Sequence, residues 1–164
     1  MTQVQERPQT RHSVVHASFV IERTLSAPPA RVFRAFSDPA EKARWFVGNG
    51  DWTGERGMDF RVGGAEHLYG GQPDGPAGRF DARYYDIVPD ERIVYAYEMH
   101  VGGVRLSVSV ATIELEPVAG GTRLTITEQG AFLDGHEDGS EREHGTRILL
   151  DQLASSLGSA AVTA

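Results

Sequence analysis

The sequence predicts an α+β domain: a curved antiparallel sheet of about six strands, with one long C-terminal helix packed across it. Three observations point there. Apolar and polar residues alternate along several segments, the signature of strands with one buried face. Gly- or Pro-bearing joins of turn length separate most of those segments, and joins that short pair neighbours antiparallel, because a parallel crossover needs a dozen residues or more. Near the end the spacing becomes helical, with Leu149, Leu150, Leu153, Ala154 and Leu157 on one face.

Met1 to Ser13, rich in Gln, Arg and Thr, reads as a flexible leader. A single domain then spans 14–158, and Ser159 to Ala164 reads as a small-residue tail. The first strand is His16 to Leu25, where Ala17, Phe19, Ile21 and Leu25 alternate with polar residues. Pro28-Pro29 opens a short helix with Val32, Phe33 and Phe36 on one side. Asp38-Pro39-Ala40-Glu41 carries the N-cap, N1 proline and capping-box Glu of a second helix, Pro39 to Phe46. Gly57 to Val62 alternates Met58, Phe60 and Val62, and Ala65 to Tyr69 is expected to continue that strand through a bulge. After the Gly/Pro-rich loop 70–78, Arg79 to Val88, Arg92 to His100, Val104 to Glu116 and Thr122 to Gln129 read as four strands. Ser140 and Glu143 fit a capping box for the last helix, and Gly158 is its expected stop.

Composition narrows the function classes. The 164 residues suit one domain, and 40% hydrophobic residues suffice for a core. Sixteen Lys plus Arg against 23 Asp plus Glu give a net charge of −7, which argues against nucleic-acid partners and anionic membrane surfaces. The absence of Cys excludes disulfides, thiolate metal sites and cysteine nucleophiles. No apolar run approaches the roughly 20 residues of a membrane span. The polar start lacks a secretory pattern, so a cytoplasmic location without membrane insertion is expected. The glycines before Gly57 precede a strand, whereas a dinucleotide fingerprint follows one and opens a helix. No phosphate loop and no Gly-x-Ser-x-Gly elbow is present. The one i, i+4 histidine pair, His12 and His16, spans the leader and the start of the first strand, lies on no helix and has no Glu after its first His, so no metal and no cofactor is expected.

The element order resembles the START-like (helix-grip, Bet v 1-like) superfamily. Within it, the chain resembles the branch named after the C-terminal domain of the activator of Hsp90 ATPase, whose bacterial members are often labelled polyketide-cyclase-like. The residues that carry the resemblance are Ala27 to Phe36, Asp38-Pro39 to Arg44-Trp45-Phe46, Phe80 to Tyr84, Ile87 to Val94, Gly121 to Thr127 and Gly145 to Leu153, covering about residues 15 to 158. Many members carry a Trp after the helix glycine, where this chain has Thr146. The resemblance implies an elongated cavity between the concave sheet face and the long helix.

Strand alternation nominates the residues of such a cavity. Phe60, with Met58 and Val62, forms one group; Phe80 and Tyr84, with Ala82, a second; Tyr95, Tyr97 and Met99, with Ile93, a third. Val108, with Leu106 and Val110, follows, before the apolar phase moves to Ala111, Ile113 and Leu115. Trp45, Phe46 and Trp52 belong at a mouth formed by the short helices, Leu150 and Leu153 on the closing helix, and His100 beside the aromatic strands. Glu128 shares a strand face with Leu124 and Ile126, so it points to the apolar side, where desolvation would raise its pKa and suit it to acid or base work. The alternative places Glu128 at a strand end, reaching solvent or an Arg.

Three functions follow. The favoured one is a protein that binds a hydrophobic or aromatic small molecule. Next comes a cofactor-free cyclase, dehydratase or isomerase, with Glu128 as candidate catalytic residue beside Tyr95, Tyr97 or His100. Least favoured is a partner module of an Hsp90-type chaperone. A homodimer is compatible with any of them.

Overall fold

The structure, a computed structural model, describes residues 12–47 and 52–160. Most of the predicted leader and the last four residues of the predicted tail therefore lie outside the described residues. Seven strands form one antiparallel sheet: β1 (Val14–Leu25), β2 (Thr53–Met58), β3 (Ala65–Gly71), β4 (Gly78–Val88), β5 (Arg92–Val101), β6 (Val104–Val118) and β7 (Gly121–Leu133). Their order is β1-β7-β6-β5-β4-β3-β2, so β2 to β7 run as a meander and β1 closes on β7. The helices are α1 (Pro29–Ser37), α2 (Pro39–Lys42) and α3 (Gly139–Ala160). Between them, α1 and α2 carry the chain from one edge of the sheet to the other. No helix among the described residues is long and apolar enough to cross a membrane.

The strand count exceeds the predicted six because Gly57 to Tyr69 is a hairpin, not one bulged strand. Residues 59–64 turn between β2 and β3, helped by Gly63 at φ 82°, a left-handed conformation that glycine adopts freely. Phe60 and Val62 therefore belong to the turn. Two bulges curl the sheet instead. One sets Tyr85 outside the β4–β5 ladder, and the other inserts Leu106 between the Met99–Ser107 and His100–Arg105 pairs.

Local chemistry explains the helix bounds. Asp38 ends α1 and starts α2: its amide donates to Arg34 O, and its Oδ1 accepts from the amides of Ala40 and Glu41. The capping-box return bond of Glu41 does not form, because its carboxylate takes Arg31 Nη1 at 2.7 Å. α2 lasts one turn, and Trp45 and Phe46 lie beyond it. The capping box of α3 sits two residues before the predicted one: Asp138 Oδ1 accepts from Ser140 and Glu141 amides, while Glu141 Oε2 accepts from Asp138 N. At its far end α3 runs past Gly158 to Ala160.

The core lies between the sheet and the helices. Val32, Ala35 and Phe36 turn the buried side of α1 inward, and Leu150, Leu153 and Leu157 do the same for α3. Ile21, Ile93, Ile113, Leu124 and Ile126 meet them from the sheet. Edge-to-face rings extend this core from α1 to the sheet, Phe36 to Trp45 to Phe46 to Phe80, with centroids 5.0 to 5.6 Å apart.

Candidate functional site

A hollow of about 380 Å³ lies between the sheet and α3. Phe80, Tyr95, Tyr97, Met99, Ile113 and Ile126 form its sheet wall, and Gly145, Thr146, Leu149 and Leu150 its helix wall. Phe46, Val47, Trp52, Gly70 and Gly78 lie at one end, and Glu128, Glu137, Glu141 and Arg142 meet at the polar end. The walls are made by residues whose backbone alternation points them inward, so the ring-rich lining follows directly from strand phase.

The Trp52 end depends on two bare strand positions. A Cβ at Gly54 or at Gly70 would come 2.8 Å from the Trp52 ring, closer than packed carbons approach, so the indole lies over a pair of glycines. Beside it, Arg56 donates to the carbonyls of Phe46 (2.8 Å) and Val47 (2.6 Å), with its guanidinium 4.8 Å from the Trp52 ring centroid. Val47 has φ 55°, a costly region for a β-branched residue, and these two bonds help hold it there.

The polar end is a closed network around Arg142, on the second turn of α3. Its Nε and Nη2 grip Glu137 at 2.9 and 2.7 Å, Nη2 also reaches Ser107 Oγ at 2.7 Å, and Nη1 donates to the Tyr97 hydroxyl at 2.7 Å. Tyr97 in turn donates to Glu128 Oε1 at 2.5 Å, and Arg142 Nη1 lies 3.4 Å from the same oxygen. Glu128 is 3% exposed. Burial pushes its pKa up, while the bonds from Tyr97 and Arg142 pull it part of the way back. Tyr97 is held protonated, first by burial and then by the neighbouring Glu128 carboxylate. Tyr95 is held protonated chiefly by burial as well. Among the described residues nothing hydrogen-bonds the Tyr95 hydroxyl, which leaves a phenol on the wall of the hollow for a guest. Within this network Glu128 is the group able to exchange a proton, because its carboxyl pKa is raised by burial, whereas Tyr97 and Arg142 keep their protons and fix the carboxyl in place.

A second constellation lies deeper, between α2 and the sheet. Lys42 Nζ donates to Glu66 Oε2 at 2.7 Å, and the Tyr84 hydroxyl donates to the same oxygen at 2.5 Å. All three residues are buried, and none of them lines the hollow.

Sequence and fold together identify the chain's relatives. The family model described as Activator of Hsp90 ATPase homolog 1-like protein matches residues 26–158. The chain belongs to that family. A solved structure of an uncharacterized protein from Rhizobium leguminosarum is 48% identical, covers 91% of this chain and 99% of its own, and superposes with a TM-score of 0.86. A Rhizobium loti protein is 51% identical over 88% of this chain and 99% of its own, with a TM-score of 0.82. A Chromobacterium violaceum protein is 32% identical over 85% and 96%, with a TM-score of 0.74. No curated protein matches. In this family member Thr146, where many relatives were expected to carry Trp, is buried against the helix through its bond to Arg142 O at 2.9 Å, and it lines the hollow.

Nine of the nominated residues meet around the hollow: Trp45, Phe46, Trp52, Phe80, Tyr95, Tyr97, Met99, Glu128 and Leu150. Five lie elsewhere. Phe60, in the β2–β3 turn, packs between Phe33 and Tyr84. Tyr84 spends its hydroxyl on Glu66. Leu153 is fully buried in the core under α3. Val108 is 43% exposed on the outer sheet face, because the alternation that points Ala111 and Ile113 inward continues unbroken through Ser109 and Ser107. His100 alternates with the inward-facing Tyr97 and Met99 and so points outward, where it meets Arg105, Glu98 and Asp81. Ligand atoms of Asp81, Glu98 and His100 lie within 4.8 Å of one another, but Arg79 and Arg105 already neutralise the two carboxylates.

Sequence reasoning missed Arg142, Ser107, Ser109 and Glu137. Arg142 sits in a run, Glu137 to His144, that looks solvated, and the two serines alternate with valines that mimic a buried face. The one available signal was the spacing from Asp138, an N-cap that sets Arg142 on the first turns of α3.

Proposed function

We propose that this protein binds an apolar, ring-bearing small molecule in the hollow between the sheet and α3. The observation that carries this reading is the lining: seven aromatic side chains and several aliphatic chains around about 380 Å³, with polar groups gathered at one end. Such a division suits a guest that is held by apolar contact and oriented by a few hydrogen bonds. The Tyr95 hydroxyl is one such orienting group.

The test is native mass spectrometry of the freshly purified protein with a thermal-shift screen of aromatic and polyketide-like compounds. A co-purified small molecule, or a melting point raised by several degrees, supports the reading. No adduct and no shift across the screen contradicts it.

A second reading, cofactor-free proton-transfer catalysis on the same guest, is favoured by the Arg142–Tyr97–Glu128 chain. Glu128→Gln separates the two. The apolar lining still holds the guest in either case, more weakly where the guest pairs with Glu128, whereas turnover falls by about 10²-fold or more only if Glu128 moves a proton.

A further inference from the structure

The charge balance at the polar end of the hollow narrows the guest. Three carboxylates, Glu128, Glu137 and Glu141, and one guanidinium, Arg142, line that end. The other cation of the lining, Arg79, is tied to Asp81 at 2.5 Å and is more than half exposed. Arg142 is committed to Glu137 through two parallel bonds, the strongest pairing geometry open to it, and offers Glu128 only a 3.4 Å contact. Glu141 is exposed and caps α3 at Asp138 N, so Glu128 is the buried carboxylate with the weaker hold on Arg142, and it is nearly without solvent.

A buried carboxylate in that position either keeps its proton or finds a positive partner. The direction of its pKa shift agrees with the first state in the empty hollow. A cationic guest supplies the second. An anionic guest would add a fourth negative group to the same end, and a neutral guest would gain nothing from the imbalance. The rings of Tyr95 and Tyr97 beside Glu128 would add the attraction of aromatic faces for a cation.

We propose that the guest carries a protonated amine: a ring-bearing apolar body along the sheet wall, with an ammonium group that pairs with Glu128. This rests on the binding reading above and names its ligand class.

Three probes share one indole body and differ in charge: tryptamine, tryptophol and indoleacetate. Titrated calorimetrically into the full-length protein at neutral pH, tryptamine is expected to bind at least about tenfold more tightly than tryptophol, with indoleacetate weakest. Glu128→Gln should bring tryptamine down to the tryptophol level while leaving tryptophol within about threefold of wild type, which also shows that the variant's hollow is intact. Tryptamine affinity should rise with pH as Glu128, its pKa raised by burial, ionises amid Tyr95, Tyr97, Ser109 and Arg142 while the amine stays charged. Tryptophol or indoleacetate binding as tightly as tryptamine overturns the ligand class and leaves the hollow as a binding site. A tryptamine preference that survives in Glu128→Gln overturns the role of Glu128. Failure of all three probes to bind overturns this proposal together with the binding reading.

Discussion

Two carboxylates, Glu66 and Glu128, rise from the same face of the sheet, and each accepts a tyrosine hydroxyl and faces one basic side chain. Glu66 has Lys42 and Tyr84; Glu128 has Tyr97 and Arg142. The parts list is nearly the same, but the surroundings differ. Lys42 approaches Glu66 at 2.7 Å and no second carboxylate competes for it, so that pair is complete within the core and fastens α2 to β3. Arg142 divides itself between Glu137 and Glu128, and the shortfall falls on Glu128, which lines open space. A complete buried pair holds the fold together. An incomplete one beside a hollow is where the proposed guest would pair.

Substitutions can break or sharpen this contrast. The largest effect is expected from Lys42→Met, which strands Glu66 in the core. It should cost about 3–5 kcal/mol in urea denaturation, and adding Glu66→Leu should recover most of the loss. A cost below about 1 kcal/mol would mean that the pair is not desolvated. Arg142→Met should cost less, about 1–3 kcal/mol, because Glu128 can hold its proton and Glu137 reaches water.

The tyrosines are expected to separate the clusters by kind more than by size. Tyr84→Phe and Tyr97→Phe should each lower stability by about 1–2 kcal/mol. Only Tyr97→Phe should push the Glu128 pKa further up, since it deletes a bond that favours the ionised form; a carboxyl-carbon NMR titration reads this directly. An unmoved Glu128 titration would contradict the bond.

The smallest effect concerns pH. A carboxyl whose pKa is raised on folding binds more protons in the folded chain than in the unfolded one. Its contribution to stability is therefore lost as pH rises from the ordinary value of 4.5 through the raised folded value. Glu128→Gln should flatten that part of the stability profile, and Tyr84→Phe should leave it alone.

Much of the fold was legible because strand alternation and turn residues are local signals. Phe80 to Tyr84 and Ile93 to Met99 carry their burial in their spacing, and the resemblance in element order placed α3 across them. The β2–β3 hairpin was hidden because Met58, Phe60 and Val62 alternate like a strand, while only pairing with Glu66 to Gly71 shows where the chain reverses. At the site, the rings were legible and the ionic network was not. Val108 and Val110 look like core residues beside Ser107 and Ser109, yet the inward phase of Ala111 and Ile113 runs on unbroken through the serines and leaves the valines at the surface. Inside, the serines serve as acceptors for Arg142, a partner on a helix more than thirty residues away that no local pattern reveals.

The central claim is that the hollow accepts a guest. Methyl-detected NMR during a tryptamine titration tests it most directly. The account predicts saturable shifts at Met99, Leu149 and Leu150, with Leu157 under α3 and Val108 on the outer face unmoved. An absence of saturable shifts, or shifts centred on Val108 and Val110, would contradict it.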